Sequence, residues 1–340
     1  MIKNYIEKVA ERENLTLNDA YNVMHKIMSG EVNETQIAAL LLALKTKGET
    51  PEEVAGFAKA MRDFSVKINN QDKNMIDVCG TGGDGSNTFN VSTAVSFVVA
   101  GTGIKVAKHG NRSISSKSGS ADVLTELGLN INLSPSQSEQ ALAEIGIAFL
   151  FAPNFHPAMK YAAPVRKALG IKTIFNVLGP LTNPAGTKKQ LIGVYNLKTA
   201  QLMAEAAKYL DMEKVYFINT SNSFDEISLT GETDVIEYSS DNGIKNFRVN
   251  QDSFGYTEIN IKKIQSDSII NNSKIMLSIL QERIKSEAYY VVAANAALAL
   301  HVAGYSDDMI ACKGAAEESI LSGKAFEKLT TLKKFGENFQ

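Results

Sequence analysis

The stretch Asp77-Val-Cys-Gly-Thr-Gly-Gly-Asp-Gly-Ser-Asn-Thr-Phe-Asn-Val-Ser-Thr93 decides the fold of this chain. A short apolar run, residues 75–79, leads into its glycines, and an apolar helical pattern, residues 92–101, follows them. Strand, glycine-rich loop and helix in this order are typical of α/β proteins, which bind ligands at the carboxyl ends of their strands. Unpaired backbone N–H groups and the positive end of a helix dipole favour a bound phosphate.

A second stretch of the same kind is Lys108-His-Gly-Asn-Arg-Ser-Ile-Ser-Ser-Lys-Ser-Gly-Ser120. It follows another apolar run, residues 104–107, and opens another helical pattern, residues 120–128. Its three cations stand among small residues that expose the backbone, and no acid occurs between positions 104 and 121. Two such loops after two strands predict a cradle for a polyanion, most simply for phosphates.

Composition limits the class of protein. The chain has 340 residues, 44% of them hydrophobic, and a formal net charge of −2, so it can bury a large core in two unequal domains. It lacks the basic charge of nucleic-acid and membrane-surface binders. Two cysteines are too few for a disulfide framework or a zinc site. The amphipathic residues 1–8 and the short apolar stretches indicate no signal peptide and no membrane span, so we expect a cytoplasmic protein.

The first seventy residues carry only helical patterns. Thr50-Pro51-Glu52-Glu53 supplies an N-cap, a proline at the first helical position and an acid at the third, and Gly48 stands where the preceding helix should stop. We therefore predict a small helical domain over residues 1–70, joined by a helix near residues 160–175. The α/β domain is predicted to span residues 71–340.

The later patterns predict a mixed sheet. Residues 226–229, 234–238 and 245–249 alternate like antiparallel strands, and residues 282–303 are typical of a buried helix. The prolines between positions 153 and 184 disfavour one long element there and indicate a hinge. The predicted fold class is α/β, with an all-helical N-terminal domain and a mixed, mainly parallel central sheet.

The glycines alone leave other functions open. Gly80-x-Gly82-x-x-Gly85 is a dinucleotide-binding fingerprint, which would suit an NADP-linked oxidoreductase. Two features disagree: the helix begins only at position 92, and the next strand ends in Lys108, where a ribose-binding acid is expected. A glycine-rich turn without any ligand is a further interpretation.

Taken together, the motifs closely resemble the anthranilate phosphoribosyltransferase family over nearly the whole chain. The resemblance is carried by the segments 77–84, Asn90-x-Ser-Thr93, 108–112, Ser115-Ser116, Gly119-Ser-Ala-Asp122, Asn176-Val-Leu-Gly-Pro-Leu-Thr-Asn-Pro-Ala185, Asp225-Glu226 and Ser322-Gly-Lys-Ala325. It implies Mg²⁺-dependent transfer of the phosphoribosyl group from phosphoribosyl diphosphate (PRPP) to anthranilate, the second step of the branch from chorismate to tryptophan. It also implies a homodimer with two Mg²⁺ ions per active site.

The resemblance further implies the site residues. Those matching the PRPP site are Gly80, Gly83, Asp84, Thr88, Asn90, Val91, Ser92, Thr93, Lys108, His109, Gly110, Asn111, Arg112, Ser113, Ile114, Ser115, Ser116 and Ser120. Those matching the anthranilate contacts are Gly80, Asn111 and Arg166, and those matching the Mg²⁺ ligands are Ser92, Asp225 and Glu226. The run 219–224, Asn-Thr-Ser-Asn-Ser-Phe, departs from the His-Gly and Gly-Leu pattern that the family has before the acidic pair.

Physical chemistry agrees with these roles. Hard carboxylate oxygens hold Mg²⁺, which makes diphosphate a better leaving group, and the planar fork of Arg166 suits the carboxylate of anthranilate. Orientation and electrostatics suffice for a dissociative, oxocarbenium-like transition state, so no covalent nucleophile is expected. Each acid or arginine taken singly also fits an ordinary surface position. A nucleoside phosphorylase and a non-catalytic nucleotide sensor are the remaining alternatives.

Overall fold

The computed structural model describes residues 2–69, 74–113 and 118–339. Its helices are α1 (Ile2–Ala10), α2 (Leu17–Met28), α3 (Glu34–Lys47), α4 (Pro51–Asp63), α5 (Val91–Gly101), α6 (Ser120–Glu126), α7 (Pro135–Glu144), α8 (Ala152–Phe155), α9 (Ala163–Leu169), α10 (Phe175–Leu178), α11 (Leu197–Ala207), α12 (Ile269–Leu280), α13 (Glu287–Ala303), α14 (Met309–Leu321) and α15 (Lys324–Glu337). Its strands are β1 (Met75–Gly80), β2 (Lys105–Gly110), β3 (Ile147–Phe151), β4 (Lys189–Gly193), β5 (Lys214–Thr220), β6 (Thr233–Ser239) and β7 (Gly243–Val249). None of these helices combines the length and apolar character that a membrane crossing needs.

The strands form one sheet in the order β3-β2-β1-β4-β5-β6-β7. The five neighbouring strands β3, β2, β1, β4 and β5 are parallel, whereas β6 pairs antiparallel with both β5 and β7. The predicted mixed, mainly parallel sheet is therefore confirmed. The chain builds outward from β1 through β2 to β3, then returns to place β4 on the other side of β1. Such a reversal leaves a crevice at the carboxyl ends of β1 and β4, where open α/β sheets bind ligands.

Capping residues set the N-terminal helices. Thr50 accepts from the backbone N–H of Glu53 while the Glu53 side chain accepts from that of Thr50, which completes the predicted capping box of α4. Gly48 follows the last residue of α3 and donates to the carbonyl of Leu44. Within residues 2–69 the structure contains helices and no strand, as predicted.

Two hydrophobic cores flank the sheet. One packs α5 against β1 to β3 and the mostly buried α13 against α5, β1 and β4. The other joins α1 to α4 with α11 and with apolar residues of β4 and β5. Segment 157–178, which includes the predicted joining helix as α9, contributes Val165 and Phe175 to this second core. The core therefore extends across position 70, and the domain limits 1–70 and 71–340 stay a prediction.

Three predicted elements differ from the structure. Residues 226–229 are not a strand, because the Asn295 side chain binds both backbone groups of Ile227. The helix predicted from position 282 begins at Glu287, capped by Ser286. The strand predicted over 104–107 continues to Gly110, because β3 pairs with it as far as Phe151. Residues 70–73, at the predicted boundary between the two domains, lie outside the described part of the chain.

Candidate active site

The crevice between β1 and β4 holds a cavity of about 350 Å³. Both strands end in paired glycines, Gly80 and Gly193, and Thr81 N–H donates to the Gly193 carbonyl at 2.9 Å. A Cβ on Gly80 would stand 2.7 Å from Oδ2 of Asp225, and one on Gly193 would overlap the Asp225 carbonyl. Glycine at both strand ends thus lets the segment carrying Asp225 cross the end of the sheet.

Most predicted site residues meet in this cavity. Its walls include Gly80, Gly83, Asp84, Thr88, Asn90, Val91, Ser92, Lys108, His109, Gly110, Asn111, Arg112, Ser113, Ser120, Arg166, Asp225 and Glu226. Thr93 is not part of the wall: it is buried inside α5, where its hydroxyl has no hydrogen-bond partner. Ile114, Ser115, Ser116 and Lys117 lie outside the described residues.

The glycine-rich loop after β1 is shaped by left-handed backbone angles. Gly82, Gly83 and Gly85 have φ values of +61°, +76° and +80°, which side chains disfavour. The loop is tied to the acidic pair, since Gly82 N–H donates to Oδ2 of Asp225 at 3.2 Å and Asp225 N–H donates to Oδ2 of Asp84 at 3.3 Å. The amides of the glycine-rich loop and the carboxylates therefore share one wall.

Three carboxylates converge there. Asp84, Asp225 and Glu226 each offer an oxygen, and these oxygens lie within 4.8 Å of one another. Burial and then the charge of Asp84 raise the pKa of Asp225, while burial and then the charge of Asp225 raise the pKa of Glu226. Oε1 of Glu226 is buried without a hydrogen-bond partner, and no described lysine or arginine forms an ion pair with the three acids. This donor set fits a divalent cation that prefers hard oxygen ligands.

Lys108 lies in β2 rather than in a loop, and it is 3% exposed. Its ammonium donates to the Val78 carbonyl at 2.7 Å and to the Ser92 hydroxyl at 3.4 Å, so it points across β1 toward the start of α5. Burial lowers the pKa of Lys108, and the buried carboxylate of Asp77 opposes that shift. Asp77 is held in turn by the Asn183 side chain at 2.8 Å. The sheet therefore fixes one cation beside the N-terminus of α5.

Arg112 in the second stretch is not free of acids. Its Nη1 pairs with Oδ1 of Asp122 at 2.8 Å, and the same carboxylate accepts from the backbone N–H groups of Gly119 and Ser113. The acid that balances Arg112 is therefore Asp122, just beyond the acid-free segment.

Asn90, at the start of α5, accepts from the Asn272 side chain at 2.7 Å.

Arg166 projects from α9 into the opposite side of the cavity. Its guanidinium lies 5.2 Å from the centre of the Phe175 ring, and burial lowers its pKa. Among residues 2–69, 74–113 and 118–339, no carboxylate is within 4.0 Å of it. A planar, unpaired guanidinium in a cavity wall is suited to a ligand carboxylate.

Two histidines flank this region. The His109 and His156 rings are 5.2 Å apart, and each has a buried Nε2 without a hydrogen-bond partner. Burial lowers the pKa of His109 to about 3 and that of His156 to about 4. Both are therefore neutral near pH 7.

Sequence reasoning identified the run 219–224 as atypical but missed the residues that hold it in place. Asn219, fully buried at the end of β5, donates to the carbonyls of Val194 at 2.6 Å and Phe224 at 3.2 Å. Thr220 donates through its hydroxyl to the Glu226 carbonyl at 2.6 Å. The atypical run 219–224 thus builds its own turn before the acids. A buried asparagine directly before a turn was the available signal.

Two protein families match separate parts of this chain. Residues 3–65 match the family described as "Glycosyl transferase family, helical bundle domain", and residues 72–326 match "Glycosyl transferase family, a/b domain". The anthranilate phosphoribosyltransferase of Geobacillus stearothermophilus is 45% identical to this chain over 334 residues, which is 98% of each protein. That of Salinibacter ruber is 44% identical over 330 residues, 96% of each.

Solved structures agree. The crystal structure of anthranilate phosphoribosyltransferase from Thermus thermophilus has a TM-score of 0.91 and 34% identity, and the match covers 98% of this chain and 99% of the other. The Saccharomyces cerevisiae enzyme in complex with PRPP and Mg has a TM-score of 0.90 and 28% identity, over 99% and 98% of the two chains. Sequence and structure match at full length, which confirms the resemblance carried by the motifs. The chain belongs to the anthranilate phosphoribosyltransferase family.

Proposed function

We propose that the cavity between β1 and β4 binds PRPP and anthranilate side by side and transfers the phosphoribosyl group between them. Family membership gives the reaction, whose products are N-(5-phosphoribosyl)anthranilate and diphosphate. One observation carries the assignment to this cavity: three converging carboxylates, a left-handed glycine loop and a buried lysine share its walls.

PRPP is proposed to lie along the glycine loop and the start of α5. The N–H groups of Gly83, Asp84 and Gly85 and the N-terminal end of α5 supply donors for phosphate oxygens, and Lys108 adds a fixed charge beside them. The described residues of the second stretch from Asn111 onward, 111–113 and 118–120, line the same cavity. All the predicted PRPP contacts that the structure describes, apart from Thr93, can face one ligand in this arrangement.

Asp84, Asp225 and Glu226 would hold Mg²⁺, with the Ser92 hydroxyl as a further oxygen ligand. Mg²⁺ bound there supplies charge neutralisation for the departing diphosphate. Asp84 joins the predicted ligands because its carboxylate lies within the cluster. We propose two ions per site, since three carboxylates and a diphosphate carry more negative charge than one divalent ion offsets.

Anthranilate is proposed to bind on the Arg166 side of the cavity. The guanidinium receives the carboxylate, while Gly80 and Asn111 line the space beside it. No side chain needs to act as a covalent nucleophile, so these residues contribute by holding the amine close to the ribose carbon. Exclusion of water from the cavity would keep the cationic transition state from reacting with water instead of with the amine.

A fluorescence assay tests this function. Purified protein mixed with anthranilate, PRPP and Mg²⁺ is expected to consume anthranilate fluorescence, and excess EDTA is expected to stop the loss. No loss with Mg²⁺ present would contradict the proposal. Phosphorolysis of thymidine or uridine would instead favour a nucleoside phosphorylase, and tight NADPH binding would favour an oxidoreductase.

We also propose a homodimer in the cytoplasm. The dimer proposal rests on the family likeness. The proposed location rests on the small soluble metabolites that the reaction uses. Light scattering coupled to gel filtration would test the dimer, and cell fractionation would test the location. A monomer, or recovery outside the cytoplasmic fraction, would contradict them.

A further inference from the structure

We propose that Lys172 is a further diphosphate-binding residue, which presents its charge to the glycine loop from outside the cavity wall. The inference rests on the proposed function of that cavity. Lys172 lies between α9 and α10, and its side chain crosses Gly83. A Cβ on Gly83 would be 2.9 Å from Cε and 3.5 Å from Nζ of Lys172. The lysine therefore occupies the space that any other residue at position 83 would fill.

An aromatic ring fixes the lysine in this place. Its Nζ lies 4.0 Å from the centre of the Tyr195 ring, a cation–π contact. The backbone N–H of Tyr195 donates to the Thr81 hydroxyl at 3.2 Å, so the ring is tied to the same loop. Lys172 is thus held between Gly83 and Tyr195. A ring orients the ammonium without removing its net charge.

The charge of Lys172 has no acidic partner. In the described ranges no carboxylate lies within 4.0 Å of its Nζ, whereas Arg112 is paired with Asp122. A lysine near the rim of a site that receives a polyanion can keep its charge for that ligand. Lys108 differs, because it is a buried residue of β2 whose ammonium is bonded to the Val78 carbonyl.

The loop that Lys172 contacts is also bonded to the proposed metal site. Gly82, the residue before Gly83, donates its N–H to Asp225, one of the three converging acids. Mg²⁺ and the leaving group belong together at these acids. With no side chain on Gly83, the Lys172 side chain packs directly against the loop, and a short separation strengthens its electrostatic attraction for an anion bound there.

The same contact links two parts of the chain. Phe175 and Val165, on either side of Lys172, belong to the core formed with the N-terminal helices. Gly83 belongs to the loop after β1. Arg166, the proposed anthranilate contact, lies on the same segment as Lys172. Lys172 therefore connects the glycine loop to the segment that carries Arg166.

Lys172→Met separates charge from packing, because methionine keeps an unbranched side chain against Gly83 and Tyr195 but removes the ammonium. We expect the KM for PRPP and the inhibition constant of diphosphate each to rise about tenfold, while the KM for anthranilate changes less than about twofold. Lys172→Arg should stay near the parent values. Lys167→Met, at an exposed position of α9, is the matched control and should change nothing.

Calorimetric titration of inorganic diphosphate with Mg²⁺ supplies a readout that needs no turnover. Weaker binding by Lys172→Met than by Lys167→Met supports the inference even if the protein consumes no anthranilate, an outcome that would count against the proposed function alone. Equal binding by the two variants overturns the inference. So does equal loss by Lys172→Met and Lys172→Arg, which would assign the residue to packing.

Discussion

The carbonyl of Asp225 occupies the space into which a side chain of Gly193 would project. Gly193 ends β4, and Asp225 begins the acidic pair beyond β5, so one glycine admits the segment that carries the carboxylates to the end of the sheet. Gly80, its partner on β1, likewise has no side chain that would clash with the Asp225 carboxylate. The candidate metal site therefore depends on two residues that provide no ligand atom.

Gly193→Ala should displace the acidic pair. Because the methyl group would meet backbone atoms of Asp225, we expect the free energy of unfolding to fall by about 2–3 kcal/mol and activity to fall further than stability explains. Urea denaturation and the anthranilate assay measure the two effects. Gly314→Ala, on an open face of α14, is the control and should be neutral or slightly stabilising. Unchanged activity in Gly193→Ala would show that the close approach of Gly193 and Asp225 is not needed for function.

Asp225→Asn combined with Glu226→Gln should remove the cation site while keeping side-chain volume. We expect turnover to fall by about 100-fold or more, because the leaving diphosphate would lose its charge neutralisation. The assay is run across a range of Mg²⁺ concentrations. A loss of only a few-fold at saturating Mg²⁺ would refute the metal assignment.

Asn219→Ala should loosen the turn before the acids. Its amide bridges the carbonyls of Val194 and Phe224, so its loss removes the side-chain donor of the Val194 carbonyl and leaves the Phe224 carbonyl with the Thr220 N–H alone. The segment that leads to Asp225 is then held less firmly. We expect the Mg²⁺ concentration for half-maximal activity to rise about tenfold, with a smaller change in turnover at saturating Mg²⁺. Ser223→Ala, at an exposed position in the same turn, should leave Mg²⁺ dependence unchanged. Lower stability with unaltered Mg²⁺ dependence would limit Asn219 to a structural role.

His156 should contribute to acid lability. Burial lowers its pKa from 6.5 to about 4, so the folded protein favours the neutral ring more strongly than the unfolded chain does. The stabilisation is complete above pH 6.5 and is lost as pH falls toward 4, by up to roughly 3 kcal/mol.

In His156→Gln, unfolding measured from pH 7 to 4 should show a shallower loss of stability than in the parent protein. His25→Gln, on the exposed face of α2, controls for the loss of a histidine. Parallel curves for His156→Gln and the parent would contradict the assignment of acid lability to this ring.

Local sequence signals predicted the elements that rest on local chemistry. The capping residues of α4, the glycine loop after β1 and the start of α5 lie close together in the chain, so their patterns can be read directly. The same patterns wrongly predicted Lys108 at the start of a loop. Local signals could not show that β2 continues through Lys108, because its extension depends on pairing with β3, which is distant in sequence. The interpretation of residues 226–229 as a strand failed similarly, since Asn295 supplies the hydrogen bonds there.

Site residues divide in the same way. Asp225 and Glu226 were predicted from the family pattern, but the proximity of Asp84 to them arises only when the loop after β1 folds against the end of β5. The need for glycine at position 193 has the same origin. Thr93 shows the converse: a hydroxyl beside a phosphate-binding motif in sequence lies inside the helix in the fold.

The central claim is that the crevice between β1 and β4 is the PRPP and metal site. Crystals soaked with PRPP and Mn²⁺, an anomalous scatterer in place of Mg²⁺, test it most directly. The account predicts an anomalous peak coordinated by Asp84, Asp225 or Glu226, with diphosphate density along residues 80–85. PRPP density elsewhere, or a fully occupied ligand with no anomalous peak at these acids, would contradict it.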